Sequence, residues 1–483
     1  FKIKFIEEYF NRIELIFWSC YMSKKNNAPQ LRRTMSAGQM EMISLGGAIG
    51  VGLFMGSTST IKWTGPSVLL AYMFVGLILY IVMRALGEML YVNPGTGSFA
   101  DYATEYVHPL AGYLAEWANV FEYIVVGMSE VVAATEYLKY WWPNISVLWS
   151  GIIIIAFLLS ANLASAKAYA SLEFWFAMIK VVTIILMIIL GFIVIFFGVG
   201  NGGKPTGFSN LWAHGGFFTG GFKGFFFSMS IIVGSYEGIE LLGISAGEVA
   251  NPQEAIVKSV KSVLFRILIF YVGAIFVIVT IYPWDQLSSL GSPFVTTFAK
   301  VGITAAASII NFVVLTAALS GANSGIYSSS RMLFKLSHDK EAPGIFKHIS
   351  KRIVPDRAIM GISGGIFIGF VLNVIASQFN HSASDLFVVV FSSSVLPGMI
   401  PWFVILLAEL RFRRHNKDVM ANHPFKLPLY PFSNYFAFLM LLVIVVFMFI
   451  NPDTRISVIV GALVLIAATI VYLVRHKGEF KKN

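Results

Sequence analysis

The sequence predicts an all-α protein that crosses a membrane many times, and three observations support this prediction. Hydrophobic residues make up 57% of the 483-residue chain. Charged residues make up 12%, about half of the roughly 25% found in an ordinary soluble protein. The apolar residues fall in long runs of about 20, the length that crosses a bilayer as a helix. A water-soluble fold could not bury this much apolar surface, so that class is excluded.

Twelve apolar runs divide the chain, and we number them spans 1 to 12 in chain order. They cover residues 41–61, 66–90, 113–138, 147–163, 172–198, 223–246, 262–282, 302–330, 357–376, 385–409, 434–450 and 455–474. Residues 41–475 are therefore predicted to form a single transmembrane domain. A segment at 22–40 precedes this domain, and a tail at 476–483 follows it.

Residues 1–21 differ from the rest of the chain. They begin with Phe1 and mix acidic and basic residues with apolar ones, which is unlike a signal peptide. Because Met22 provides a natural start, we expect these residues to be a non-native or disordered extension. An amphipathic segment lying on the membrane is the alternative. The chain has a single cysteine, Cys20, which lies in this segment. With one cysteine, neither an internal disulfide nor a cysteine metal cluster can form.

Basic residues are distributed unevenly between the loops that follow even-numbered and odd-numbered spans. Of the 35 Lys and Arg residues, 25 fall in the segment after Met22, the even-numbered loops and the tail, against 6 in the odd-numbered loops. Positive charge accumulates on the cytoplasmic side of a membrane protein. Both termini are therefore expected in the cytoplasm, with the protein in the plasma membrane. The same bias explains the net charge of +10 without a nucleic-acid partner.

Spans 1 and 6 carry interruptions near their middles. Span 1 contains four glycines within Gly46–Gly52, and span 6 contains Gly234–Glu240 with two acids. Each glycine destabilises a helix by about 1 kcal/mol, and freed backbone groups in a membrane must line a cavity or bind something. Close helix packing through small residues is the alternative. Because the breaks lie five spans apart, they predict an inverted repeat of spans 1–5 and 6–10 plus two extra helices. A 6+6 repeat would place them six spans apart.

Such a pair of breaks suits an amino acid. A helix N-terminus presents free N–H groups and partial positive charge, which favour a carboxylate. The carbonyls released by unwinding favour an ammonium group. We therefore expect a site for a small zwitterion between spans 1 and 6.

Several motifs in these regions match a known family. They include ISLGGAIGVGLFMGS (43–57), MRALGEM (83–89), EFWFAMIKV (173–181), YEGIELLGISAGEVANP (236–252) and ANSGIYSSSRML (322–333). Over nearly the whole chain the sequence resembles the amino acid–polyamine–organocation superfamily and, within it, the bacterial amino acid transporter family. Further stretches, such as GNGGKPTG (200–207) and NPDTRIS (451–457), are similar to the proline-specific permease branch. The resemblance implies the same 5+5 inverted repeat with two extra helices.

The resemblance also implies the residues of a substrate site. The substrate carboxylate would meet backbone N–H groups at Gly50, Val51 and Gly52, and its ammonium group would meet carbonyls near Ala48, Ile49 and Ile231. Glu240 would organise the unwound turn, Tyr236 stands where the family has an aromatic residue over the site, and Ser235 beside it belongs to the same set. This sequence departs from the family at Val51, where a hydroxyl residue is usual, and at Gly234, where an aromatic is common and its loss would widen the pocket or weaken a gate.

Lys180 lies in the middle of predicted span 5, among apolar neighbours. A lysine at that depth is expensive and usually functional. By resemblance to the superfamily, it occupies the place of a sodium ion and links spans 1 and 8, which favours coupling to H+ and not Na+. A structural or snorkelling lysine is the alternative.

Span 3 carries a polar stripe that should point into the bundle. The stripe consists of Asn119, Glu122, Val126, Ser129, Glu130, Ala133 and Glu136. Glu122 and Glu130 are candidates for substrate specificity or proton coupling, and hydrogen bonding between helices is the alternative. Asn323 in span 8 matches the family motif and is a candidate acceptor for Lys180.

These observations predict a proton-coupled importer of an amino acid, most simply proline or another neutral one. Histidine or a broad range of amino acids is the alternative substrate. A membrane-embedded enzyme is disfavoured because the sequence lacks HExxH and nucleophile-elbow motifs, and a channel is disfavoured because no filter sequence repeats. We expect no cofactor, no metal and no obligate protein partner, only the substrate and the lipid bilayer.

Overall fold

The computed structural model describes residues 49–54, 56–93, 99–240, 242–243, 252–287, 304–379 and 383–477. The predictions for residues 1–21 and 22–40 lie outside these residues, as do Ala48 and the first glycines of the span 1 motif. Within the described residues the secondary structure is helical, with turns and short loops between the helices. The predicted all-α polytopic membrane fold is confirmed.

The described helices follow the predicted spans closely. Spans 1 to 6 contain Val51–Phe54 with Gly56–Thr64, Val68–Val92, Pro109–Leu138, Val147–Ala164, Ala166–Phe197 and Gly221–Tyr236. Span 7 runs through Pro252–Arg266, a π-helical stretch at Ile267–Gly273, and Ala274–Ile281. Spans 8 to 12 contain Thr304–His338, Asp356–Ala376, Ala383–His415, Phe432–Ile450 and Pro452–Arg475. Short helices at Phe99–Tyr106 and Lys417–Ala421 lie between spans.

Ten of the described helices are long and apolar enough to cross a membrane, fewer than the twelve predicted spans. Nine of them correspond one to one with spans 3–5 and 7–12, and the tenth runs from Gly52 to Val92 across spans 1 and 2. The helix of span 6 has 16 residues, which is shorter than a full crossing of about 20. The two predicted spans that lack a full-length helix of their own are therefore spans 1 and 6, which the glycine pattern predicts to be interrupted.

Local sequence sets where several spans begin and end. Ser165 precedes span 5 and accepts a hydrogen bond from the Ala168 amide at 3.0 Å, which caps the helix. Gly198 ends the same span with φ of 66°, a left-handed conformation that glycine adopts easily. Span 3 begins at Pro109, and His108 before it accepts from the Leu110 amide at 3.1 Å. Burial, helped by nearby Arg411, lowers the pKa of His108 and keeps its ring neutral, as an acceptor must be.

Spans 3 and 8 form the centre of the bundle. In the most apolar stretch of span 8, 83% of the residues are buried, whereas in that of span 12 the share is 22%. Spans 3 and 8 pack together along their length, span 10 packs against span 3, and span 6 packs against spans 1 and 2. Polar groups on spans 1, 3, 6 and 8 therefore lie in the interior, where they need partners.

One end of the bundle is held by ion pairs. Arg413 of span 10 donates to both carboxylate oxygens of Glu88 in span 2, each at 2.6 Å. Lys335 of span 8 lies 3.1 Å from Asp101 and also contacts Glu116 at the start of span 3. These residues, together with Arg411, mark what we call the basic end of the bundle.

Candidate functional site

The break in span 1 lies directly against span 6. Ile49 and Gly50 are buried and precede a helix that begins at Val51, so the first backbone amides of that helix have no acceptor within it. A Cβ on Gly52 would lie 2.9 Å from the Cα of Ser235 and 2.8 Å from Phe391. Only glycine allows this approach, so Gly52 brings the two interrupted helices together. Ala48, whose carbonyl is predicted to accept from the substrate ammonium, lies outside the described residues.

The break in span 6 is organised by one carboxylate. The helix ends at Tyr236, and Gly238 takes a φ of 99°, which allows the chain to turn. Glu240 accepts from the Gly238 amide at 2.9 Å and from the Tyr123 hydroxyl at 3.2 Å. The indole of Trp402 donates to its other oxygen at 3.3 Å. The structure thus places Glu240 where it can hold the turn, with contacts to spans 3 and 10.

The residues before this break make contacts within the bundle, and their predicted roles toward a substrate stay predictions. Ile231 lies inside the helix, and its carbonyl accepts from Ser235 Oγ at 2.9 Å. The ring of Tyr236 packs edge-to-face against Tyr72 and Tyr271, and its hydroxyl donates to the Tyr72 carbonyl at 3.0 Å. Tyr271, in the π-helical stretch of span 7, donates to the Ser235 carbonyl at 2.9 Å. These contacts join spans 2, 6 and 7.

The space beside Gly234 is filled by span 10. A Cβ on Gly234 would lie 2.8 Å from Phe391 and 2.9 Å from Val395. The expectation that glycine here widens the pocket is wrong, because side chains from another span occupy the room that an aromatic at position 234 would take. The sequence at 234 could not show this, since the packing partner lies more than 150 residues away.

Lys180 links the break of span 1 to span 8. The side chain is fully buried, and its ammonium donates to the Ile49 carbonyl at 2.9 Å and to Ser320 Oγ at 2.8 Å. Ser320 in turn donates to Glu173, and Asn323 donates to the other Glu173 oxygen at 3.2 Å. We call these four residues, Lys180, Ser320, Glu173 and Asn323, the Lys180 cluster. Asn323 thus contacts Glu173 rather than Lys180, as its described bonds show.

Glu173 is a site residue that sequence reasoning missed. It lies seven residues before Lys180, two helical turns away on the same face of span 5, and this spacing could have identified it. Glu173 is fully buried and supplies the negative charge that a buried lysine needs. The cluster therefore contains a cation and an anion joined through hydroxyl and amide groups.

Glu130 lies between the break of span 1 and span 8. A Cβ on Gly50 or on Gly321 would overlap the Oε1 atom of Glu130. Glycine at both positions therefore makes room for this carboxylate. Glu130 is also close enough to Lys180 for their charges to interact.

The stripe on span 3 divides between two places. Glu122 lies eight residues before Glu130, about 12 Å along the helix, and interacts with Glu237 and Glu240 at the break of span 6. The prediction that the stripe faces the interior is wrong for Glu136, which is about one-third exposed and pairs with Lys139 at 2.7 Å. Glu136 lies near the end of span 3, where its charge reaches solvent.

Helices that are interrupted where they meet inside a bundle are the architecture of secondary transporters, and the chain is a polytopic membrane permease. Its family follows from sequence comparison. The family model described as amino acid permease matches residues 39–483, so the chain belongs to the amino acid permease family. The resemblance inferred from the motifs is confirmed at this level.

Named relatives align along almost their entire length. The chain is 55% identical over 450 residues to the probable threonine/serine transporter YbxG of Bacillus subtilis (strain 168), covering 93% of this chain and 96% of the relative. It is 38% identical over 445 residues to the D-serine/D-alanine/glycine transporter of Escherichia coli (strain K12), covering 90% and 92%. Amino acid transport is therefore the activity of the family to which the chain belongs.

A solved structure shares the fold. A mutant of the manganese transporter of Eremococcus coleocola superposes with a TM-score of 0.60, covering 90% of this chain and 92% of that chain at 12% identity. At this level of identity the likeness concerns the fold alone.

Proposed function

We propose that the protein is a proton-coupled symporter that imports a neutral amino acid across the plasma membrane. The observation that carries this proposal is the ammonium of Lys180, which bridges the Ile49 carbonyl at the span 1 break and Ser320 of span 8. By resemblance to the superfamily, this is the place where a sodium ion binds in other members. A fixed cation there favours H+ as the coupling ion, because an ammonium can lose and regain a proton.

The substrate would lie between the two breaks. Its carboxylate would accept from the amides of Gly50, Val51 and Gly52, at the start of the outer part of span 1. Its ammonium would donate to carbonyls at the end of the span 6 helix, which lack a donor from a following turn. The Ser235 carbonyl already accepts from Tyr271, so this bond would orient the end of the helix and the neighbouring carbonyls would hold the substrate.

Proton transfer at Lys180 would alter how span 1 is held. The protonated ammonium ties Ile49 to Ser320, and the bond weakens when the lysine becomes neutral. Since Glu130 packs against both Gly50 and Gly321, its charge would respond to the same change. Proton release would therefore loosen span 1 from spans 3 and 8, which links proton movement to movement of the substrate site.

Orientation follows from the charges. Arg411 and Arg413 lie at the basic end, and Arg84 donates to the Lys426 carbonyl, next to the Leu427 carbonyl that Arg413 contacts. We place this end on the cytoplasmic side by the positive-inside rule. Both termini would then be cytoplasmic. The substrate and the bilayer suffice as partners for this activity.

The relatives favour a small neutral substrate. The name of the 55% identical relative specifies threonine and serine, and that of the 38% identical relative specifies D-serine, D-alanine and glycine. Threonine or serine is therefore our first candidate. Proline is the second, because the stretches GNGGKPTG (200–207) and NPDTRIS (451–457) resemble the proline-specific branch.

Uptake by the purified protein in sealed proteoliposomes tests both coupling and substrate. With an inward proton gradient and no sodium, labelled threonine or serine is expected to accumulate, and a protonophore should abolish accumulation. Competition by each of the twenty amino acids then ranks substrates, with proline and histidine as the informative competitors. Accumulation that requires sodium and ignores the protonophore would overturn proton coupling. Absence of saturable uptake for every amino acid would overturn the transport proposal.

A further inference from the structure

Three carboxylates meet at the interface of span 3 and the break in span 6. Glu122 comes from span 3, and Glu237 and Glu240 come from the turn that follows the span 6 helix. Their exposed fractions are 0%, 5% and 0%. We call these three residues the acid cluster. Glu122 and Glu237, and Glu237 and Glu240, are close enough for their charges to interact.

Two of these carboxylates have few partners among the residues that the structure describes. Glu240 accepts three hydrogen bonds. In contrast, both oxygens of Glu237 are buried without a hydrogen-bond partner in this part of the chain, and the one polar group described beside the Glu122 carboxyl that can donate to it is the Asn119 amide. Within the described part of the chain, no Lys, Arg or His forms an ion pair with any of the three. The acid cluster therefore contains negative groups without a described cation to balance them.

A buried amide side chain, that of Asn119, lies beside the acid cluster. Asn119 lies one helical turn before Glu122, is fully buried and sits beside the Glu122 carboxyl. Apart from the Glu122 carboxyl, its side-chain oxygen and nitrogen have no hydrogen-bond partner among the described residues. Asn119 can donate to a carboxylate or accept from a protonated carboxyl. A buried amide and two buried carboxyls with so few partners indicate a site that binds a small ligand.

The surroundings of Glu237 favour a proton as that ligand. Its carboxyl packs against Gly398 of span 10, where a Cβ would overlap Oε1. Such contact leaves little room for a hydrated cation. Gly398 lies between Pro397 and Pro401, and Pro401 has no amide hydrogen, so the Pro397 carbonyl in this turn lacks its usual helical donor. A protonated carboxyl can donate to an acceptor, whereas a carboxylate cannot.

Burial makes the charged form of this cluster expensive. Two carboxylates without cations would each lose their hydration, and a third negative group would repel them. The titratable groups facing the pair are Glu240 on span 6 and Tyr123 on span 3, and neither provides positive charge. On span 10, the described contacts of this region come from Gly398 and Trp402.

We propose that Glu122 and Glu237 form a second proton-binding site, separate from Lys180, which holds at least one proton in this conformation. Loss of that proton would place two like charges across the interface of span 3 and span 6 and would push the break of span 6 away from span 3. The transport consequence rests on the proposed proton coupling. The protonation itself is a property of the folded protein and can be measured without transport.

Infrared spectroscopy of the protein in lipid tests the protonation directly. A buried protonated carboxyl gives a carbonyl-stretch band that carboxylates lack and that shifts in D2O. At neutral pH the wild-type protein is expected to show this band, and Glu122→Gln and Glu237→Gln are each expected to reduce it. Glu136→Gln is the matched control, since Glu136 lies on the same span but is ion-paired near the surface. It should leave the band unchanged.

Either of two results would overturn the site. One is a wild-type spectrum without the band at neutral pH, and the other is a band that both Gln variants retain in full. If a Gln variant does not fold, as judged by gel filtration, Glu122→Asp and Glu237→Asp replace it. These variants should shift the frequency of the band, and an unshifted band would also refute the assignment.

Uptake measurements separate this proposal from the general one. In Glu237→Gln the side chain at position 237 is neutral at every pH. Uptake by this variant is expected to depend on pH less steeply than wild-type uptake, and the substrate concentration reached inside the liposomes is expected to be at least about tenfold lower. Wild-type uptake that is indifferent to the proton gradient would refute proton coupling while leaving the infrared result intact. Proton-driven wild-type uptake with an identical pH profile in Glu237→Gln would refute the role of the acid cluster alone.

Discussion

Two groups of buried polar residues lie at the two helix breaks, and they solve the problem of burial differently. The Lys180 cluster touches the break of span 1 and combines an ammonium, a carboxylate, a hydroxyl and an amide that bond to one another. The acid cluster touches the break of span 6 and contains three carboxyls, none of which has a cationic partner among the described residues. Both lie away from solvent in the middle of the bundle.

This difference indicates which cluster can keep its charges when buried and which must bind protons. A buried cation balanced by an anion and bonded on several sides keeps its charge at a tolerable cost. A group of carboxyls without a cation must bind protons or another positive group. The bonds from Lys180 to spans 1 and 8 are thus strongest while the lysine carries its proton. On the proposal above, the contact between span 6 and span 3 is strongest while Glu122 and Glu237 are partly neutral. In both places, protonation stabilises contact between a broken helix and the rest of the bundle.

Removing the cation is expected to have the largest effect. Lys180→Ala leaves Glu173 buried without its balancing charge and should destabilise the protein by about 3–5 kcal/mol. It also removes the bond to Ile49, so proton-driven uptake should fall to the background of empty liposomes. Thermal unfolding in detergent and uptake under an imposed proton gradient measure the two effects.

The matched control for this variant is Lys167→Ala, because Lys167 is an exposed lysine at the start of the same span. It should leave unfolding and uptake unchanged. Full proton-driven uptake by Lys180→Ala would show that the Lys180 cluster is structural, and the comparison of the two clusters would then lose its functional meaning.

Two glycine substitutions act on one carboxyl in each region. Gly321→Ala forces a methyl group onto Glu130, and Gly398→Ala forces one onto Glu237. Each should destabilise the protein by about 1–3 kcal/mol, as overpacking does in other cores. Gly364→Ala in span 9 is the control, since a Cβ there meets nothing within 4 Å. This variant should be neutral or more stable by up to about 1 kcal/mol, because alanine favours a helix.

Thermal unfolding of the three glycine variants checks this expectation. If Gly398→Ala proves as harmless as Gly364→Ala, the Glu237 carboxyl is free to move away from span 10. The close packing that argues against a hydrated cation in the acid cluster would then be wrong.

A pair of asparagines gives the smallest and most selective test. Asn323 donates to Glu173 and accepts from Asn162 at 2.8 Å, whereas the one polar partner described for Asn119 is the Glu122 carboxyl. Both side chains are fully buried, so replacement by Ala removes the same volume at both positions. Asn323→Ala should therefore be more destabilising than Asn119→Ala, by about 1 kcal/mol for two lost bonds between helices. Equal losses in thermal stability would indicate that Asn119 has partners of similar strength.

Much of the fold could be predicted from the sequence. The apolar runs predict the positions of spans 2–5 and 7–12, because the length of a membrane helix is set by the bilayer. Some helices run further than the apolar run, by ten residues at the start of span 7 and eight at the end of span 8. The glycines at 46–52 and 234–238 predict the interrupted spans, because glycine weakens a helix wherever it lies. The depth of Lys180 follows in the same way, since a lysine within a run of apolar residues is placed by its neighbours in the chain.

The composition of the site could be predicted only in part. Lys180, Glu240 and the polar stripe on span 3 can be recognised from residue type and position. That Asn323 bonds to Glu173, that Glu122 and Glu130 lie in separate groups, and that Phe391 fills the space at Gly234 could not. Each of these depends on which side chain of a distant span comes within bonding distance.

The sequence by itself determined the class of fold, the number and approximate limits of most spans, the two breaks and a lysine at membrane depth. These are local properties, since hydropathy, helix period and glycine content act within about 20 residues. Only the tertiary structure decided which buried charges are balanced and which are not. Balance depends on the packing of spans that are far apart in the chain, and in a low-dielectric interior a difference of one bonding partner separates a stable ion pair from a group that must bind a proton.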